Sequence, residues 1–278
     1  MRYDSFVPVE TFGHYQLESL IAAGGLGEVW RARRSGEGER VAVKRMHTHL
    51  ARNADACAMF ALEQRLALEL PRHRNVVYGS DAADVAGRAY VALELIEGDD
   101  LRRVLAPSRP GAGAATPVAT LPRARVLAIA ADACAAAAHL HAAGYVHGDI
   151  CPSNLVIEAQ PSGDRTVLVD LGVARRIGEG GVVRGTHAYM APEQVRGQAW
   201  TPATDVFAIG VIVWELVASA RLFHRGPPWL TLAAVIEEPV PALPDRALDA
   251  VIQRALAKDP AARIASAAEL GALLAGAH

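Results

Sequence analysis

Lysine is almost missing from this chain of 278 residues, occurring only as Lys44 and Lys258 among 28 basic residues. Asparagine is nearly as rare, at Asn53, Asn75 and Asn154. Residue types used so sparingly carry information at the few places where they stand. Cysteine is confined to Cys57, Cys134 and Cys151. An odd number with no Cys-x-x-Cys spacing excludes a disulfide framework and a zinc site and fits a reducing compartment. No charge excess is present either: 28 basic and 30 acidic residues leave a net −2, which offers no field for nucleic acid or an anionic membrane. Long apolar runs are absent. The most apolar stretch, 206–214, is too short to span a bilayer, and residues 1–13 carry charges and Pro8 where a signal peptide needs an apolar core. A cytoplasmic location, with no membrane segment and no nucleic-acid partner, is the expectation. Disorder is not, because 51% of the residues are hydrophobic and 21% charged, ordinary values for a chain that buries a core.

From 15 to 95 the pattern reads as strand, glycine-rich turn, strand, a third strand at 40–45, a helix at about 55–70, and strands near Val76 and at 90–95. After Gly98 the character changes. A short helix is expected at 101–105, and residues 106–120, rich in Pro, Gly, Ala, Ser and Thr, read as a flexible surface loop. An Ala-rich helix over 123–143 is ended by Gly144, suited to the left-handed residue that follows a helix. The segment 204–218 is apolar on nearly every face, which predicts a helix buried inside a helical unit. Further helices are predicted at 230–238, 247–258 and 266–275, with no internal repeat.

Three strings can carry chemistry. Ala22-Ala23-Gly24-Gly25-Leu26-Gly27-Glu28-Val29 lies between two strands, and its glycines let backbone amides approach phosphates closely. Taken alone it is equally an ordinary hairpin turn, and its strand-to-strand context excludes the dinucleotide fingerprint, which needs a following helix. In Val41-Ala42-Val43-Lys44, strand alternation turns Lys44 the same way as Ala42, toward the loop, where a cation neutralises phosphate. Glu63 on the next helix is placed to hold that ammonium. The third string is His147-Gly148-Asp149-Ile150-Cys151-Pro152-Ser153-Asn154, followed by Leu168-Val169-Asp170-Leu171-Gly172. Asp149 can accept a hydroxyl proton, and Asn154 and Asp170 offer hard oxygen ligands for magnesium bound on phosphate.

Together these strings resemble the motif set of a protein kinase domain, of the bacterial, eukaryotic-like Ser/Thr kind, over about Gly13 to Ala275. The resemblance implies an α+β, bilobal kinase-like fold: an N-terminal extension at 1–12, a nucleotide-binding lobe at 13–97 built on a small antiparallel sheet with one main helix, and a larger, mostly helical lobe at 98–278 carrying the flexible insert. It implies that ATP and Mg2+ are used. By that similarity Ala22, Gly24, Gly25, Gly27, Val29, Ala42, Lys44, Leu93, Glu94 and Ile96 meet the nucleotide, with 94–96 as the hinge that meets the adenine. Lys44 pairs with Glu63 and the phosphates, Asp149 is the base, and Asn154 and Asp170 hold magnesium. Gly185-Thr186-His187-Ala188-Tyr189-Met190-Ala191-Pro192-Glu193 resembles the end of an activation segment, Arg263 the arginine that pairs with that glutamate, and Asp205 the aspartate that anchors the catalytic loop. His147 has a structural role in this scheme.

Three residues depart from the motif set. Ala22 stands for the first glycine of the loop, Gly148 for the arginine before the base, and Cys151 for the lysine two residues after it. Residues 173–184 contain no Ser, Thr or Tyr, so no phosphorylation switch is expected there. A thiol at 151 lacks the charge that would steady the transferred phosphate, which predicts reduced activity. The expected function is transfer of the γ-phosphoryl group of ATP to a Ser or Thr hydroxyl of an unknown protein, autophosphorylation included. The alternatives are an ATP-binding pseudokinase that acts as a scaffold or regulator, which Cys151 favours, and a small-molecule phosphotransferase, against which the 185–193 run, Asp205 and Arg263 argue.

Overall fold

The structure, a computed structural model, describes residues 10–36, 38–105, 121–181 and 185–277. Two compact units divide the chain, one made of Met1–Arg72 and Val77–Glu97, the other of His73–Val76 and Gly98–His278. The segment 106–120, expected as a flexible insert, lies outside the described residues. Among the described residues no helix is long and apolar enough to cross a membrane.

The first unit is one antiparallel sheet with a helix. Its strands are β1 (Glu10–Phe12), β2 (Tyr15–Ala23), β3 (Gly27–Arg34), β4 (Arg40–Met46), β5 (Gly79–Val85) and β6 (Arg88–Glu94), in the order β1-β2-β3-β4-β6-β5. Side-chain alternation sets the buried face: Tyr15 and Leu17 point inward and Gln16 outward. They join Phe12, Ala32, Val41, Val43, Tyr90 and Ala92 in the core, where Phe12 and Tyr15 meet Tyr90 edge-on at 5.6 and 5.7 Å. Helix α1 (Ala54–Glu69) starts where Asn53, one of the three asparagines, accepts the Ala56 N–H at 2.9 Å.

Two sequence expectations are corrected here. Residues 10–12, assigned to an extension, pair with β2 and bring Phe12 into the core. The strand expected near Val76 is instead β5, and Val76 makes isolated bridges to His73 and to Leu168 within the second unit. The sequence of β5, Gly-Ser-Asp-Ala-Ala-Asp-Val, has almost none of the branched or aromatic residues that mark strands. It is fixed by its surroundings. The two-residue turn Ala86-Gly87 has positive φ at both positions, the geometry that matches hairpin twist, and Asp81 accepts hydroxyl hydrogen bonds from Tyr15 at 2.9 Å and Tyr90 at 2.7 Å.

In the second unit β7 (Gly98–Asp100) leads into the single turn α2 (Leu101–Val104), and α3 (Arg123–Ala142) is followed by β8 (Tyr145–Val146), β9 (Leu155–Glu158), β10 (Arg165–Leu168) and β11 (Arg175–Arg176). These make a sheet ordered β10-β9-β7 and a β11-β8 pair. The helices that follow are α4 (Pro192–Val195), α5 (Pro202–Ala218), α6 (Pro228–Glu237), α7 (Arg246–Ala255) and α8 (Ala267–Gly276). Gly144 ends α3 with φ +86°, as its type predicts. Helix α5 is the buried centre: every residue from Ala203 to Leu216 is shielded. Small residues let the other helices come close, and a Cβ on Gly210 would already touch Ala255 and Leu256 of the α7 end at 3.2 and 3.1 Å. The helix expected to run to 258 stops at Ala255, before the Asp259-Pro260 pair that disfavours helical backbone.

Candidate active site

In the first unit the glycine-rich loop joins β2 to β3. The Gly24 N–H donates to Gly27 O at 2.9 Å, the His47 N–H donates to Leu26 O at 3.0 Å, and His47 Nε2 lies 2.9 Å from Gly24 O. The loop is thus tied to the end of β4 through Gly24 and Leu26. A Cβ on Gly27 would sit 2.2 Å from the Arg45 carbonyl oxygen, so only glycine fits there, whereas Gly24 and Gly25 have nothing within 4 Å of where a Cβ would be. That open space above bare backbone suits phosphate oxygens. Behind the loop the register places Ala22 opposite Val29, Val29 opposite Lys44, and Ala42 opposite Leu93, which precedes Glu94. Ile96 follows on the segment that leaves β6.

Lys44 Nζ reaches both Glu63 oxygens, at 2.6 and 2.8 Å, with the two side chains 7% and 2% exposed. A buried cation of this kind needs its counter-ion, because desolvation of an unpaired charge is very costly. Sequence reasoning missed the neighbouring cluster. Arg45, on the opposite face of β4, is 6% exposed at its side chain and donates to Glu28 at 3.1 Å and to both Glu10 oxygens. Its guanidinium lies over Phe12 and Trp30, 5.2 and 5.1 Å from the ring centroids. Through it β1 is bound to the residue that follows Gly27. An arginine directly after a strand lysine is too common a surface pattern to signal this.

In the second unit Asn154 Nδ2 donates to Asp149 O at 2.9 Å and to Asp149 Oδ2 at 3.3 Å, and the Thr186 N–H donates to Asp149 Oδ1 at 2.9 Å. Asp170 has φ +68°, a left-handed backbone rarely adopted by a residue other than glycine, and its Oδ1 accepts the Gly172 N–H at 3.1 Å. The Val169 N–H donates to Asn154 O at 2.8 Å, which joins the two stretches of chain that bear Asn154 and Asp170. Burial pushes the Asp149 carboxyl above its ordinary value and the nearby Asp170 charge adds to this, against the Thr186 N–H and His147. Among the described residues no three His, Cys, Asp or Glu side chains gather into a metal cage. The donor set of one carboxylate and one amide oxygen fits magnesium, which takes few protein ligands and completes its shell with phosphate and water.

Asp205, fully buried, fixes this loop from below. It accepts the His147 N–H at 2.9 Å, the Gly148 N–H at 2.8 Å and a hydrogen bond from His141 Nε2 at 2.8 Å. Burial pushes its carboxyl up, but the His141 hydrogen bond, the histidine charges and the Gly148 N–H bring it below the usual carboxylate range. Gln194 Nε2 donates to Gly148 O at 2.8 Å and His147 Nδ1 accepts the Asp149 N–H at 3.2 Å, so the peptide unit leading into Asp149 is clamped, while Asn154 Nδ2 holds the Asp149 carbonyl on the other side. Arg263 grips both Glu193 oxygens at 2.7 Å and donates to the carbonyls of Ala203 and Ala257 at 3.1 and 2.6 Å. Sequence reasoning also overlooked Glu215, whose Oε2 accepts from Tyr189 Oη at 2.7 Å and Arg221 Nη1 at 2.8 Å. The available signal was its charge: an acid inside the apolar run of α5 has to be paired if it is buried.

The Thr186 hydroxyl donates to Cys151 Sγ at 3.4 Å. Burial and the Asp149 charge push the Cys151 thiol up to about 12, so at neutral pH it is an uncharged filler.

The family described as "Protein kinase domain" matches residues 15–271. The chain is 31% identical over 272 residues to the serine/threonine-protein kinase PknJ of Mycobacterium tuberculosis, covering 93% of this chain and 44% of PknJ. It is 34% identical over 274 residues to PknA of the same organism (94% and 60%) and 34% identical over 268 residues to PkaA of Streptomyces coelicolor (88% and 47%). The chain therefore spans about half the length of these relatives. The crystal structure of the Mycobacterium tuberculosis PknI kinase domain superposes with a TM-score of 0.74 at 25% identity, covering 97% of this chain and 98% of that one.

Proposed function

Since the chain belongs to the protein kinase domain family, among relatives named as bacterial serine/threonine-protein kinases, we propose that it transfers the γ-phosphoryl group of ATP to a Ser or Thr hydroxyl of a protein. The observation that carries this reading is Asp149, an acid that follows backbone clamped by Asp205 and Gln194 and whose neighbours are two oxygen donors suited to magnesium. In the step proposed, the substrate hydroxyl passes its proton to Asp149 as its oxygen attacks the γ-phosphorus. The bond from that phosphorus to the β–γ bridging oxygen breaks, and ADP leaves with the bridging electron pair. Magnesium held by Asn154 and Asp170 would neutralise charge on the phosphates. Lys44, fixed by Glu63, is a cation suited to phosphate, and the open backbone at Gly24 and Gly25 accommodates phosphate oxygens. Ala42, Leu93 and Ile96 offer apolar surface for the adenine, and backbone groups near Glu94 offer its hydrogen bonds.

The rate is expected to be reduced. Cys151 supplies no positive charge where it meets Thr186, and loss of one electrostatic group commonly costs on the order of 10²-fold to 10³-fold. With no Ser, Thr or Tyr in 173–184, phosphorylation of that stretch does not switch the enzyme. The second reading, a nucleotide-binding pseudokinase, draws on the neutral thiol at 151 and on the Thr186 N–H already engaging the oxygen that would take the proton.

Transfer of labelled γ-phosphate with magnesium, to the protein itself and to a generic basic protein, separates the two. The natural chain is expected to incorporate label, Lys44→Ala to lose both label and nucleotide affinity, and Cys151→Lys to gain rate by roughly tenfold or more. ATP binding that Lys44→Ala abolishes, with no label in the natural chain or in Cys151→Lys, would leave the pseudokinase reading standing.

A further inference from the structure

Gly148 has φ +74°, and a Cβ built on it would lie 2.3 Å from Trp200 Cζ3 and 2.7 Å from Cε3. The indole therefore occupies the volume into which a side chain at 148 would project. Trp200 is 1% exposed and also bonds the stretch that follows Asp170. The Gly178 N–H donates to Trp200 O at 2.8 Å, the Trp200 N–H donates to Glu179 O at 3.0 Å, and Gly180 bridges to Ala199. The Arg175 guanidinium stacks 5.3 Å from the indole centroid. A Cβ on Gly181 would be 3.2 Å from Trp200 Cζ2, so the ring is closed over from that side as well.

We propose that Trp200 is a positioning residue: an apolar plug between Gly148 and residues 175–181 that sets the backbone beside Asp149 and orders this segment with no phosphate. The proposal rests on the kinase reading and specifies its regulation. Asp205 and Gln194 hold Gly148 by its N–H and its carbonyl. Trp200 bears on the remaining side, where a side chain at 148 would project. Contact of this kind, with the Arg175 guanidinium on the indole, requires no modification of the segment, in keeping with a stretch that has no hydroxyl to phosphorylate. The indole Nε1 is buried without a hydrogen-bond partner among the described residues, so a phenylalanine, which has no such donor, retains the plug without an orphaned N–H.

The test uses the full chain and the variants Trp200→Ala and Trp200→Phe, with kcat, the KM for ATP, and trypsin cleavage after Arg175 and Arg176 as readouts. Trp200→Ala is expected to lower kcat by roughly 10²-fold, the scale of a small misplacement of a catalytic group, and to open both arginines to trypsin. Its KM for ATP is expected to stay within about twofold, since binding of the nucleotide is not what the plug serves. Trp200→Phe is expected to restore most of kcat and of the protection. Phosphatase treatment of the natural chain is expected to leave kcat unchanged. Full kcat and protection in Trp200→Ala, a Phe variant no better than the Ala variant, or loss of activity on phosphatase treatment would each overturn the proposal. Should Trp200→Ala not fold, Trp200→Leu takes its place and the phosphatase arm still applies. If the natural chain transfers no phosphate at all, the kinase reading fails, while trypsin protection continues to test the plug.

Discussion

Asp149→Asn is expected to lower phosphoryl transfer by about 10²-fold to 10⁴-fold, the range over which a positioned base acts, with nucleotide affinity unchanged. The replacement keeps shape and an oxygen to accept the Thr186 N–H at position 149; it gives up the 3.3 Å hydrogen bond that Asn154 Nδ2 makes to the other carboxylate oxygen, while Asn154 still holds the backbone carbonyl of 149. What it removes is a group able to take the substrate proton. The pH profile adds an independent signature. The base acts only when ionised, and because burial and the Asp170 charge raise its pKa, the fall in kcat/KM on acidification begins at a higher pH than an ordinary carboxylate near 3.9 would set. Rates of label transfer measured from pH 4 to 8 check both parts. Activity in the Asn variant equal to that of the natural chain would remove Asp149 from the mechanism.

Arg263→Ala is expected to destabilise the helical unit by about 3–5 kcal/mol, the usual penalty for deleting one partner of a buried ion pair. Glu193 would keep only the Thr204 hydroxyl, 2.9 Å from its Oε1, to compensate a charge shielded from water. The carbonyls of Ala203 and Ala257 would lose their donor as well. Removing both charges together, as Glu193→Gln with Arg263→Met, is expected to cost less than the two single changes summed, because neither leaves an uncompensated ion behind. Urea unfolding midpoints of the natural chain, Glu193→Gln, Arg263→Met and the double variant measure this, with Arg263→Ala alongside, and strict additivity would show that the pair is not coupled.

The rarest residues proved the most informative. Lys44, one of two lysines, is the buried partner of Glu63. Each of the three asparagines supports the structure in its own way. Asn53 caps α1, Asn75 donates to Thr166 O at 2.8 Å, and Asn154 braces Asp149. A spacing of fixed types along one strand or loop is local, and local patterns survive in a sequence. The helices were legible for a similar reason, since all-round apolarity marks α5 and Gly144 marks the end of α3. Arg45, Glu215 and Trp200 were not legible. Each owes its role to residues far away in the chain: Arg45 to Glu10, Glu215 to Tyr189, and Trp200 to Gly148.

By itself the sequence determined the chemistry on offer: a glycine-rich turn, one lysine with an acid to hold it, an acid with two oxygen-bearing side chains downstream, and a segment with nothing to phosphorylate. Only the tertiary structure decided that β5 is a strand, because two tyrosine hydroxyls and a positive-φ turn outweigh its weak intrinsic preference. It alone showed why residue 148 is glycine. The absent side chain is a fact of the sequence, but the indole that fills its place comes from a distant part of the chain, and packing is decided by which surfaces meet, which no local pattern records.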